Sequence, residues 1–289
     1  MPTKIEKDAI TGRETTGHEW DGIKELNTPL PRWWLYVLYA TIAFSVVWML
    51  LYPSLPLGTS YFRGLLGYSQ RQDLARDMTA AAALRAPMVD RIRSLPLEQV
   101  QADPDLAAFA LTGGKALFAE NCAACHAAGG AGRAGFPALV DDDWIWGGSL
   151  ARIEQTIAYG ARSGHAQAHV MDMPRFGVDG MLSQAEIGDV ADYVLTLSGR
   201  GTDVAGVARG GELFAQNCAA CHGDRGQGNP EMGAPRLDDQ IWLYGGTRAD
   251  IIRQIAQPRQ GVMPSWTGRL DDAAIKMLTL YVHSLGGGQ

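Results

Sequence analysis

Hydrophobic positions along this chain fall into two regimes. From Trp33 to Tyr52, twenty consecutive residues carry no charge. At roughly 1.5 Å rise per residue they make a helix of about 30 Å, the thickness of a bilayer's hydrocarbon core. Trp33, Trp34 and Tyr36 at one end, and Trp48 and Tyr52 at the other, suit the interfaces where aromatic rings prefer to sit. Further on, apolar residues recur at helical spacing instead. Ile187, Val190, Ala191 and Val194 form one face behind Ser183 and Glu186, which are spaced as a capping box, and Ile275, Leu278 and Val282 follow Asp271 as N-cap. Gln70 to Val89, rich in Ala, Leu, Arg and Met, is also predicted helical, with Pro87, Pro96 and Pro104 as breakers.

The uncharged run is predicted to be an uncleaved anchor. A signal peptide fits badly, because the run follows 32 mostly polar residues and ends in Tyr52-Pro53-Ser54-Leu55-Pro56 rather than at a small-residue cleavage site. A buried core helix is the remaining alternative. The expected organisation is a polar tail over 1–32 with no apolar period, a transmembrane helix over 33–53 and a juxtamembrane linker over 54–108, either solvated or packed on a partner or the membrane. Lys and Arg are distributed almost evenly across the span, which leans only slightly toward an N-terminus in the cytoplasm.

The remainder is an internal repeat, and any reading of it must hold twice. Gly114-Lys-Ala-Leu-Phe118-Ala-Glu-Asn-Cys122-Ala-Ala-Cys125-His126 matches Gly210-Gly-Glu-Leu-Phe214-Ala-Gln-Asn-Cys218-Ala-Ala-Cys221-His222 at an offset of 96 residues. Trp144 to Gly148 answers to Trp242 to Gly246, Met173-Pro174 to Met263-Pro264, and Tyr193 to Tyr281. Strand-like alternation is absent, so two small all-α domains in tandem are expected, over 109–200 and 204–289. Phe118 with Tyr193, and Phe214 with Tyr281, are the expected contacts between the first and last helices of each domain, with Gly114 and Gly210 allowing close approach. Cores this thin fold poorly on side-chain burial alone, and a large apolar cofactor would repair the deficit.

Cys-x-x-Cys-His is the attachment signature of c-type haem. Two intervening residues let one helical turn present both thiols to the two porphyrin vinyl groups, and the adjacent His is placed to ligate iron. Two covalently bound haems c are therefore expected, on Cys122 and Cys125 with His126, and on Cys218 and Cys221 with His222. A four-cysteine zinc site would want its pairs about 15 to 20 residues apart, whereas 92 separate these. A thioredoxin-like pair needs a βαβ context that is missing. A sixth iron ligand must come from downstream, and the duplicated Met173 and Met263 lie 47 and 41 residues beyond the His of their own repeats. His165, His169 and Met171 compete with Met173, since a second His would give a lower potential than His/Met ligation. Pro137 and Pro235 offer a carbonyl to each imidazole, or are ordinary loop prolines. No catalytic residues are predicted: nothing suggests a hydrolytic triad, a metal-bound water or a phosphate loop.

The net charge of −6 and a pI near 5.5 argue against nucleic acid as a partner. An acidic balance is compatible with docking a basic protein.

With these residues assembled, the chain resembles the dihaem cytochrome c subunits of cbb3-type oxidases, CcoP or FixP, over nearly its whole length. Tyr159-Gly-Ala-Arg162-Ser-Gly-His165, Met173-Pro-Arg-Phe-Gly177, Asp192-Tyr193-Val194 and Gly261-Val-Met-Pro264 carry the resemblance. It implies two class I cytochrome c domains behind one span in a bacterial inner membrane, with the N-terminus cytoplasmic and the haem domains periplasmic. It further implies a relay of electrons from a soluble or membrane cytochrome c donor, past a monohaem cytochrome c subunit, to a catalytic subunit with haem b and copper. By the same resemblance Cys122, Cys125, His126 and Met173 hold one haem, and Cys218, Cys221, His222 and Met263 the other. A cytochrome subunit of a periplasmic membrane-bound dehydrogenase is the runner-up. A dihaem peroxidase fits least, because one of its irons would lack Met.

Overall fold

The computed structural model describes residues 4–201 and 205–286, so the expected start of the second domain at 204 and its end at 289 lie outside the described residues. The chain divides into two compact units, Met1–Ala82 and Ala83–Gln289.

In the first unit, helix α1 (Arg32–Leu51) buries none of its twenty residues. A helix apolar on every side with no buried residue is suited to lipid. After Tyr52 the chain forms a short hairpin of β3 (Pro56–Leu57) and β4 (Ser60–Tyr61). It then returns over the helix end, where Leu65 and Leu66 donate N–H groups to the Leu50 and Leu51 carbonyls at 2.9 and 3.1 Å. The tail, read as polar with no apolar period, contains an antiparallel hairpin of β1 (Thr15–Trp20) and β2 (Ile23–Leu26) with Trp20 opposite Ile23. Its turn is Asp21-Gly22, both at positive φ, a dipeptide suited to tight hairpins.

Helix α2 (Gln70–Ser94) runs through Pro87 rather than stopping there. Pro96 and Pro104 act as expected: Pro96 precedes α3 (Leu97–Ala102) and Pro104 opens α4 (Pro104–Asn121), whose N-cap Asp103 accepts from the Asp105 and Leu106 amides. The end of the supposed linker is core, since Ile92, Val100 and Leu106 are fully buried with Ala273, Met277 and Leu280.

The second unit contains, in order, α4, α5 (Ala123–His126), α6 (Leu150–Tyr159), α7 (Gln184–Leu197), α8 (Gly206–Asn217), α9 (Ala219–His222), α10 (Arg248–Ala256) and α11 (Asp272–His283). The capping box at Ser183 and Glu186 and the N-cap at Asp271 are present as expected. The partners of these helices are not. α4, the first helix of the first repeat, packs on α11, the last helix of the second, and α11 also carries α6. α7 packs on α8 and α10. Phe118 therefore meets Tyr281 at 5.4 Å and Phe214 meets Tyr193 at 5.3 Å between ring centroids, which reverses the pairing expected within each repeat.

The physical reason lies in the duplication. Both opening helices present the same Gly and Phe surface and both closing helices the same Tyr surface, so side-chain chemistry alone cannot choose between partners. The connection chooses: α7 reaches α8 through residues 198–205, and a short connection favours neighbouring helices that pack side by side. α4 is left for α11. Each closing helix crosses its partner at a glycine, where a Cβ on Gly114 would stand 2.2 Å from the Met277 carbonyl oxygen and one on Gly210 2.0 Å from that of Asp189.

Candidate functional site: two histidine and methionine centres

Each Cys-x-x-Cys-His motif begins at the C-cap of a long helix and winds through one further turn, α5 or α9. The turn sets the His against a fixed acceptor. His126 Nδ1 donates to the Pro137 carbonyl at 3.0 Å, and His222 Nδ1 to that of Pro235 at 2.9 Å. With Nδ1 occupied as donor, Nε2 keeps the lone pair that a metal needs. Burial pushes both imidazoles below the usual histidine range, only partly offset by those hydrogen bonds, so both are neutral and competent to ligate. Burial, reinforced by Cys125 and Cys221, pushes the Cys122 and Cys218 thiols up to about 11.

The methionines follow the exchanged helices. Met173 packs with Phe214, Cys218, Ile251 and Trp242. It lines a cavity of about 410 Å³ together with Cys218, Cys221 and His222 of the second motif. Met263 packs instead with Phe118, Cys122, Trp144 and Tyr159, beside the first motif. The sequence reading put His126 with Met173 and His222 with Met263; the packing of the two Met-Pro segments differs from that. Met173 lies beside the second motif and Met263 beside the first, because the loop before each closing helix travels with that helix.

The competitors of Met173 are engaged elsewhere or exposed. His169 stacks on Trp146 at 4.2 Å, with Nε2 at 3.1 Å from the Thr156 hydroxyl. His165 stacks on Tyr159, and its Nδ1 accepts from the Gln167 amide. Met171 lines the same cavity but is 45% exposed.

Haem fits this cavity. Among the described residues, Trp242 Nε1 is the buried side-chain polar atom without a hydrogen-bond partner, and it lies on the wall that also carries Arg236 and Arg259. The slot is lined mainly by apolar side chains, with Asp141, Asp143 and Asp172 also on its lining, and the cationic groups and unmatched indole N–H are the donors suited to a porphyrin's carboxylate substituents. Trp242 was visible in the sequence only as one half of the repeated Trp144 and Trp242.

Comparison with known proteins gives the family. Residues 12–59 match the family described as the N-terminal domain of cytochrome oxidase-cbb3, FixP. Residues 109–194 and 205–282 match that described as cytochrome C oxidase, cbb3-type, subunit III. The chain is 52% identical over 293 residues to the Cbb3-type cytochrome c oxidase subunit FixP of Bradyrhizobium diazoefficiens, covering all of both. It is 50% identical over 291 residues to the Cbb3-type cytochrome c oxidase subunit CcoP of Azospirillum brasilense, covering 98% of this chain and 99% of that one. With the CcoP of Cereibacter sphaeroides it shares 45% identity over 290 residues, again covering all of both. The chain belongs to the FixP/CcoP family of cbb3-type cytochrome c oxidase subunits. Membership makes it a membrane-anchored, haem c-binding chain with two cytochrome c domains, and it favours the oxidase over the dehydrogenase reading.

Proposed function

We propose that the chain carries two covalent haems c and relays single electrons from a cytochrome c donor toward the oxygen-reducing subunit of its oxidase. In this reading Cys122 and Cys125 attach one group and Cys218 and Cys221 the other. His126 with Met263, and His222 with Met173, would hold the two irons. Bound haem supplies a one-electron iron couple, and His/Met ligation favours its reduced form and raises the potential. The residues contribute orientation and dryness: the Pro137 and Pro235 carbonyls fix the imidazoles, Phe214 lines the cavity beside His222, and the Phe118–Tyr281 and Phe214–Tyr193 ring pairs hold the opening and closing helices together. Two six-coordinate irons would leave no open position for substrate, so this subunit transfers electrons and makes no bonds itself.

The immediate neighbours are a monohaem cytochrome c subunit and the catalytic subunit with haem b and copper. The N-terminus lies in the cytoplasm and the two haem domains in the periplasm, where covalent haem attachment takes place in bacteria. The observation that carries the reading is that each attachment motif, with its His already oriented, packs with one Met-Pro segment.

The test uses detergent-extracted complex from native membranes. Haem b signals and cytochrome-c-dependent oxygen uptake co-purifying with the chain support the relay, whereas c-type signals beside a flavin or quinoprotein partner exclude it. For the ligand pairs, replacing Cys122 and Cys125 by Ser removes the first haem. The far-red methionine-to-ferric-iron absorption that remains should then vanish with Met173→Leu and survive Met263→Leu. The opposite result would return the ligands to their own repeats.

A further inference from the structure

The two methionine loops are held in different ways although they are repeats of each other. Met263 is held by main chain: its N–H donates to the Ala161 carbonyl at 2.9 Å, and its carbonyl accepts from the Ala161 N–H at 3.1 Å. Counted from the N-caps Ser149 and Thr247, the residues equivalent to Gly160, Ala161 and Arg162 are Pro258, Arg259 and Gln260. Arg259 is therefore the residue that should grip Met173. Its backbone is already taken: its N–H donates to Gln254 Oε1 at 3.2 Å and its carbonyl accepts from Gln254 Nε2 at 3.0 Å.

The next residue replaces it with a side chain. Gln260 Oε1 accepts from the Met173 N–H at 2.9 Å, and Gln260 Nε2 donates to the Met173 carbonyl at 3.2 Å. A primary amide has the donor and acceptor pair of a peptide, so it can grip both polar atoms flanking the Met173 Cα as a neighbouring strand would. Pro174 has no N–H to add to the hold. Gln254, Gln260, Met173 and His222 all line the same cavity.

We propose that Gln260 is the positioning residue that holds Met173 at the sixth position of the iron carried by His222. The proposal rests on the ligand pairs given above. It makes that centre the one whose methionine has its own N–H and carbonyl held by a side chain, with main-chain bonds only further on, from Gly177 and Val178 to the Ala256 carbonyl, while Met263 is held at both atoms by the Ala161 backbone, which substitution cannot remove.

The experiment uses the full-length protein purified with its haems. In a Met263→Leu background, methionine ligation reports on the His222 centre alone, and imidazole is the competing ligand. Gln260→Leu should speed displacement of methionine by imidazole roughly tenfold or more, the worth of two hydrogen bonds, and lower that centre's potential. Gln260→Glu keeps the acceptor for the Met173 N–H, loses the donor, and should fall between. In a Met173→Leu background, which reports on the His126 centre, Gln260→Leu should change nothing. Parent-like displacement in both Gln260 variants, or an equal change at both centres, overturns the positioning role. If the far-red methionine absorption of the Met263→Leu protein survives Met173→Leu, the ligand pairs fail and the proposal with them. If it is lost while Gln260→Leu and Gln260→Glu are silent, only the proposal fails. Should Gln260→Leu not accumulate, Gln260→Glu decides alone.

Discussion

Gly210 leaves no room for a side chain, since a Cβ would press into the Asp189 carbonyl oxygen. The repeated Gly before Phe214 was legible as a close approach, and only its partner was not. Gly210→Ala should cost about 1 to 3 kcal/mol of stability through overpacking and lower the thermal midpoint of the haem-loaded protein. An unchanged midpoint would mean that α7 and α8 can part without loss. Asp143 was invisible as a special residue. Burial, then Asp239 and Asp141, pushes its carboxyl up to about 6. The folded chain thus binds this proton more tightly than the unfolded chain, so the associated stability is present at acid pH and is lost as pH rises through about 6. Asp143→Asn should raise the thermal midpoint at neutral pH, with the gain shrinking toward pH ~4. A gain independent of pH would show that charge is not the cause.

Among the elements, α1 and the two closing helices were readable because length and apolar period report burial directly. Two features that apolar period does not report have local causes. The β1 and β2 hairpin carries its signal in Asp21-Gly22, two residues in a stretch with little apolar patterning, so periodicity does not detect it. Pro87 sits within α2 because its missing N–H and its ring remove one hydrogen bond and bend a helix without ending it when the flanking residues are strong helix formers. The end of α1 has its own requirement, since its last carbonyls need donors where water is scarce. Leu65 and Leu66 supply them, and Gly64 lets the chain come close: its φ is +76°, and a Cβ would lie 2.4 Å from the Leu51 carbonyl oxygen. Gly64→Val should lift this segment off the helix, so that hydrogen exchange at the Leu65 and Leu66 amides in detergent accelerates by roughly tenfold, the equivalent of about 1.4 kcal/mol. Parent-like protection would refute the capping role.

For the whole molecule, exchange of closing helices makes Ala83–Gln289 one compact unit rather than two that could be separated. A chain ended after Arg200 retains the first attachment motif, Phe118 and α6, but lacks α11 and Met263. It should show no methionine-ligated haem and melt well below the parent, as followed by the far-red ferric absorption and circular dichroism. A truncated protein with a normal methionine band would mean that the first repeat folds on its own. The sequence by itself determined the span, the helical class, both Cys-x-x-Cys-His motifs and the family, because each is a local pattern of spacing or periodicity; it left open whether Pro137 and Pro235 accept from the imidazoles. Which helix packs on which, which methionine lies beside which motif, and which side chain grips Met173 were decided only in three dimensions. Duplicated surfaces are chemically equivalent, and equivalent surfaces are told apart only by the reach of the chain that connects them.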